Sequence, residues 1–213
     1  MRLRPDVVIF AVLLAGSAYA VSTQLHDAPD APYAGGRAAM GSVVADFTLK
    51  DIGLRDRTLA ELSKGAKATV LYFWSVECPC VDAREPRMKE IVAKYEKAGV
   101  AFVGIDSDPN DTRDQVFEKM GRIRATAYRM LLDPTQAVLK ATGGRTATEA
   151  IVLDDRGRIR YRGAFDDDLL KPTRSFLGEA LDALLAGRDP SPAETPPDGC
   201  PFPGFEGECA FVK

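Results

Sequence analysis

The chain has 213 residues, 46% of them hydrophobic and 28% charged, the balance of a sequence that folds around a core rather than staying disordered. Lys and Arg number 28 against 31 Asp and Glu, a formal charge of −3, which argues against the basic face that a grip on nucleic acid requires. A single histidine, His26, argues against metal sites built from several imidazoles. Four cysteines, Cys78, Cys80, Cys200 and Cys209, are left to carry the chemistry.

At the N-terminus Arg2 and Arg4 precede an apolar run from Val7 to Ala15, and Ala18-Tyr19-Ala20 follows as a small-residue cleavage site. This is the pattern of a signal peptide over residues 1–20. The run falls short of the ~20 residues that span a bilayer as a helix, so membrane contact is expected only if the segment stays uncleaved as an anchor. Both outcomes export the body of the chain to the periplasm or another extracytoplasmic space, where thiols tend to be paired or catalytic. Residues 21–40, rich in Ala, Pro and Gly without apolar period, read as a flexible linker.

From Gly41 onward the chain alternates. Val44–Leu49 has strand content, and Thr58 is placed to cap a short helical turn over 59–62. Ala68–Trp74 is a continuous apolar and β-branched run, as in a strand buried on both faces. Residues 82–98 carry Met88, Ile91, Val92 and Tyr95 at helical spacing and stop at Gly99. Val100–Ile105 is a second buried strand. Asp111 or Thr112 is expected to cap a helix running to Met120. Tyr128–Leu132 is a strand, and Gln136–Ala141 is helical.

Glu149–Leu153 and Ile159–Gly163 flank the turn sequence Asp154-Asp155-Arg156-Gly157 and so form a hairpin. Thr173–Ala186 is a final amphipathic helix, and a Pro-rich, Cys-containing tail occupies 189–213. The expected fold class is α/β, a central mixed sheet flanked by helices, with the globular domain over 41–188.

Cys78-Pro79-Cys80 falls where the buried strand ends and the next helix begins. Reactive groups in α/β sheets gather at the carboxyl ends of strands. A thiol at a helix N-terminus also meets unpaired amides and the positive end of the dipole, which favour the thiolate.

Phe73-Trp74-Ser75-Val76-Glu77-Cys78-Pro79, with Pro86 beyond, resembles the active-site segment of thioredoxin-fold redoxins, both the exported TlpA-like thiol–disulfide oxidoreductases and the peroxiredoxin-like AhpC/TSA group. Ala45-Asp46-Phe47, Gly104-Ile105-Asp106, Leu132-Asp133-Pro134 and the closing hairpin agree, so the likeness spans about residues 41–188. It implies a thioredoxin-like fold, no cofactor, and Cys78 as the nucleophile. The partners implied are exported protein thiols or disulfides and a thiol reductant, or else peroxide. Trp74, Ser75, Pro79 and Thr148 are the expected pocket.

The departures from the family pattern are specific. Val81 stands where a C-x-x-C motif has its second thiol, and Cys80 is one residue short of it. Thr148 occupies the position of the usual cis-proline, and Leu71 that of a proline in the peroxidase motif.

Three functions follow from these residues. The leading one is a thiol–disulfide oxidoreductase in which Cys80, or failing that Cys200, resolves the intermediate formed at Cys78. Its alternatives are a thiol peroxidase and a Cu(I)-binding redox chaperone, since two thiolates in Cys-x-Cys suit a soft ion. No metal is required by the leading reading. Cys200 and Cys209 are expected to staple the tail by a disulfide unless Cys200 folds back to Cys78. Asp166-Asp167-Asp168 reads as a solvated loop or helix cap, Glu77 as a solvated side chain, and His26 as inert.

Overall fold

The computed structural model describes residues 37–207. The signal-like segment, His26 and Cys209 lie outside the described residues. Seven strands form one mixed sheet: β1 (Thr48–Asp51), β2 (Asp56–Thr58), β3 (Ala68–Trp74), β4 (Val100–Asp106), β5 (Arg129–Leu132), β6 (Ala150–Asp154) and β7 (Ile159–Gly163). Their order across the sheet is β2-β1-β5-β4-β3-β6-β7. β3, β4 and β5 run parallel; β1 lies antiparallel to β5 at one end, and β6 antiparallel to β3 at the other.

The apolar run 68–74 becomes β3, and each of its seven residues is buried. It sits between β4 and β6, so its backbone groups pair on both sides and its side chains enter the core on both faces. The helix after it, α2 (Pro79–Tyr95), begins three residues earlier than the apolar spacing suggests, with Cys78 as its N-cap and Pro79 in the first turn. Proline suits that turn because the amide it lacks would have had no intrahelical partner. The chain leaves α2 through a 3-10 turn, Glu96–Ala98, and Gly99 stops it at φ 92°, a conformation that costs glycine little.

Of the two expected caps before α3 (Arg113–Ile123), the structure uses Thr112, which forms a capping box with Gln115. Thr58 caps α1 (Leu59–Leu62), and Ser175 caps α5 (Phe176–Leu185), which packs on β3, β6 and β7. α4 (Ala137–Thr142) follows the buried Asp133, whose carboxylate accepts from the amides of Ala137, Val138 and Leu139. Other features also differ from the sequence reading. α5 starts at Phe176 rather than Thr173, β1 starts at Thr48 rather than Val44, and the three-residue β2, too short to show an alternation, is not among the expected strands.

The Pro-rich tail is folded onto the domain. Thr195 is hydrogen-bonded to the end of β7 and the residue after it: its amide donates to the Arg162 carbonyl at 3.1 Å, and its side-chain hydroxyl accepts from the Ala164 amide at 2.9 Å. Farther on, the Ala147 amide donates to the Cys200 carbonyl at 2.8 Å and the Phe202 amide to the Arg145 carbonyl at 3.1 Å. Phe202 is 2% exposed, its ring edge-on to Phe73 with centroids 6.4 Å apart. These contacts carry the tail across the carboxyl end of β3.

Candidate active site

The segment between β3 and α2 is held from two directions. Lys119, buried on α3, donates from Nζ to the carbonyls of Val76 at 2.6 Å and Cys78 at 3.0 Å, and pairs with Asp82 of the first turn of α2 at 2.8 Å. From the other side Asp111 accepts from the Val76 amide at 2.7 Å, and Ser75 Oγ donates to Asp108 at 3.2 Å. Asp106, at the end of β4, faces this acidic group from a buried position. Burial and then the charge of Asp111 push its carboxyl up to about 9, so it stays protonated at neutral pH.

Cys78 is 1% exposed and Cys80 fully buried. Cys78 has extended backbone angles (φ −80°, ψ 113°), so its side-chain direction is not set by the helix, and two thiols only two residues apart can approach one another. The tail brings in the third. The Sγ atoms of Cys78, Cys80 and Cys200 all lie within 4.8 Å of one another. The three carry no disulfide among the described residues. The Cys78 thiol is held far below the ordinary value, to about 3, first by the hydrogen bond from Cys200 and then by that from Cys80, with burial opposing. The N-terminus of a 17-residue helix acts in the same direction.

Thr148 has φ 70°, in the left-handed region that a β-branched residue rarely enters. Three contacts hold it there. Its amide donates to the Phe73 carbonyl at 2.7 Å; its hydroxyl accepts from Arg84 at 2.8 Å and donates to the Asp198 carbonyl at 2.9 Å. Buried Glu149 supports the same loop, accepting from the amides of Arg145 at 2.7 Å and Thr146 at 3.3 Å.

Arg84 of α2 is fully buried. Its Nε and Nη2 reach Asp166 at 3.0 and 2.9 Å, Nη2 also reaches Asp198 Oδ2 at 2.7 Å, and Nη1 serves Thr148 and the Asp198 carbonyl. Four of the five guanidinium donors make hydrogen bonds, and Nη2 also forms the ion pair with Asp166. This ion pair ties α2, the segment after β7 and the tail together beside the thiols.

The structure thus joins Cys78, Cys80 and Cys200, with Thr148 touching the tail residue two before Cys200. Trp74 is a fully buried core side chain with Lys119 Nζ 5.3 Å from the ring. Ser75 is bonded toward Asp108, and Pro79 is exposed at the helix start. Glu77 is exposed as expected. The acidic triplet requires a correction. Asp167 and Asp168 are exposed and cap turn amides, but Asp166 is 2% exposed and paired with Arg84 and Arg87, because the chain turns inward at Phe165. Arg84, Asp166 and Asp198 were missed by the sequence reading. The signal available for Arg84 was its place at helical spacing between Cys80 or Val81 and Met88 on the buried face of α2, a face that Glu85 also shares.

A model of the AhpC/TSA family matches residues 40–162. Among curated proteins the chain is similar to the thiol-disulfide oxidoreductase ResA of Geobacillus thermodenitrificans, 25% identical over 160 residues covering 75% of this chain and 85% of that protein. Among solved structures it resembles a hypothetical protein of Sinorhizobium meliloti, with a TM-score of 0.69, 28% identity, and coverage of 81% of this chain and 98% of the other. The thioredoxin domain of a thiol-disulfide oxidoreductase from Bacteroides vulgatus shares the fold, with a TM-score of 0.54 and 20% identity over 62% of this chain and 94% of that one.

Proposed function

Because the chain belongs to the AhpC/TSA family, whose model spans more than half of its length, we propose that it is an exported thiol–disulfide oxidoreductase with Cys78 as nucleophile and Cys200 or Cys80 as resolving thiol. The observation that carries this reading is Cys78 at the N-cap of α2 with two further sulfurs within 4.8 Å, surroundings that favour its thiolate. Export rests on the signal-like residues 1–20.

In the reductive direction the Cys78 thiolate attacks one sulfur of a substrate disulfide, and the other substrate sulfur leaves as a thiolate. A mixed disulfide remains. A second thiol, after losing its proton, attacks Cys78 Sγ and releases the remaining substrate thiolate. The substrate gains two electrons and the protein loses them, ending with an internal disulfide that an external thiol reductant must open.

Cys200 is the better-placed resolver. It comes from a separate segment, so its bond to Cys78 closes by sliding the tail, whereas a Cys78–Cys80 bond must close a small ring at the helix start. With Cys78 1% exposed, a protein substrate reaches it by displacing the tail. A groove of about 370 Å³ lined by Val76, Glu77, Pro79, Asp82, Lys119 and Arg122 adjoins the site and offers a polypeptide a surface. The peroxidase reading gains nothing from Arg84, whose buried guanidinium is committed to Asp166, Thr148 and Asp198.

The test is reduction of a disulfide-linked protein substrate by the mature chain, with mass spectrometry of trapped intermediates. We expect Cys78→Ser to lose turnover entirely and Cys200→Ser to accumulate the mixed disulfide at Cys78. Turnover that persists in Cys78→Ser refutes the assignment.

A further inference from the structure

The spacing of the three sulfurs suits a second chemistry. A disulfide needs its sulfurs at about 2.05 Å. Three thiolates around one closed-shell ion, at the ~2.3 Å typical of a metal–thiolate bond, stand about 4 Å from each other. Sγ atoms that all lie within 4.8 Å of one another and form no disulfide are compatible with the second arrangement.

We propose that reduced Cys78, Cys80 and Cys200 form a trigonal thiolate site for a single Cu(I) ion. Thiolate donors select soft ions. Zinc prefers a closed tetrahedron of four ligands, and the cluster among the described residues offers three donor atoms, with no carboxylate or imidazole in it. Cys78 and Cys80 are sealed from water while Cys200 is half-buried, so an ion would exchange through the Cys200 side. Each thiol that binds gives up its proton, and the metal remains Cu(I), so no electron moves. A disulfide between any two of the three removes the site. Metal occupancy and the oxidised state are therefore alternatives at the same sulfurs, and copper would be held only by the reduced chain.

The site differs from the Cys-x-Cys pair legible in the sequence by its third ligand, which only the docked tail supplies. Reduced mature protein, kept anaerobic, is titrated with Cu(I) in competition with a chromogenic Cu(I) chelator. The expected result is one Cu(I) per chain, with affinity lower by on the order of tenfold or more in each of Cys78→Ser, Cys80→Ser and Cys200→Ser. Cys209→Ser is expected to bind as the parent does, and X-ray absorption to count three sulfur neighbours. Near-ultraviolet circular dichroism on Cys200→Ser checks that its tail still docks.

Unchanged affinity in Cys200→Ser with the tail docked overturns the proposal, as does Zn(II) displacing Cu(I) at equal concentration. The outcome is independent of disulfide exchange. A chain that turns over disulfides but fails to hold Cu(I) loses this site alone.

Discussion

Gly199 is the position at which one methyl group tests the whole arrangement of the tail. A Cβ there would lie 1.8 Å from the Ala147 carbonyl oxygen and 2.6 Å from Thr148 Oγ1, where real Cβ contacts essentially never fall below 3.0 Å. The closer obstacle is backbone, belonging to a loop already pinned by Glu149 and Phe73, so the tail must retreat rather than the loop.

Retreat of residues 199–202 gives up the two backbone hydrogen bonds to Ala147 and Arg145, about 1 kcal/mol each. It also exposes Phe202, about 2 kcal/mol. Docking of this segment is thus worth roughly 4 kcal/mol, close to a thousandfold in the open–closed equilibrium. Since Cys78 is 1% exposed, its alkylation by a small haloacetamide proceeds through the open state.

Gly199→Ala should therefore raise the Cys78 labelling rate by about two to three orders of magnitude, approaching that of an accessible thiolate. The rate is read by quenched mass spectrometry on the reduced protein. The same variant should lose Cys200 as resolver and accumulate mixed disulfide at Cys78. A labelling rate within about twofold of the parent would refute the reasoning, because Cys78 would then be reached without tail movement.

Other consequences follow from the buried charges. Arg84→Met leaves Asp166 with Arg87 as its remaining ion-pair partner and should cost about 3 kcal/mol, the low end for breaking a buried pair, in urea unfolding; a loss under about 1 kcal/mol would contradict a structural role for the pair. Asp198 is partly exposed, so Asp198→Ala should cost no more than about 1 kcal/mol while still speeding Cys78 labelling several-fold. The ultraviolet thiolate absorbance assigned by difference to Cys78 should persist from pH 8 down to about pH 5, where a thiol of ordinary value near 8.5 would be protonated.

That depressed value also gives a sign to stability. The contribution of Cys78 is full above the unfolded thiol value of about 8.5 and is lost as pH falls toward about 3. Asp106 acts in the opposite sense. Its folded value of about 9 exceeds the unfolded value of about 3.9, so its contribution is full in acid and is lost as pH rises through that window. Asp106→Asn should mimic the protonated acid and flatten this part of the stability profile in urea titrations at a series of pH values. An unchanged slope would refute the protonated state.

Much of the fold was legible because its signals are local. The run 68–74 fits a strand buried on both faces, Thr58 and the pair Asp111-Thr112 mark helix starts, and the Asp154–Gly157 turn marks the hairpin. Cys78 at the head of a helix followed from the same local order, and with it the preference for thiolate. The strand-to-helix junction is a property of neighbouring residues, which a sequence displays directly.

What the tertiary structure decided is contact between segments far apart in the chain. The tail has neither helical nor strand period, so nothing in its pattern says that it crosses the end of β3 and delivers Cys200 to Cys78 and Cys80. Asp166 sits in an acidic triplet whose sequence is that of a solvated turn; only the inward path after Phe165 makes it the buried partner of Arg84. Thr148 takes a left-handed backbone because Phe73, Arg84 and Asp198 together hold it there. The nucleophile and its neighbour Cys80 were thus set by local sequence, and the third sulfur by geometry. Bringing Cys200 home costs chain entropy that only long-range burial and hydrogen bonding repay.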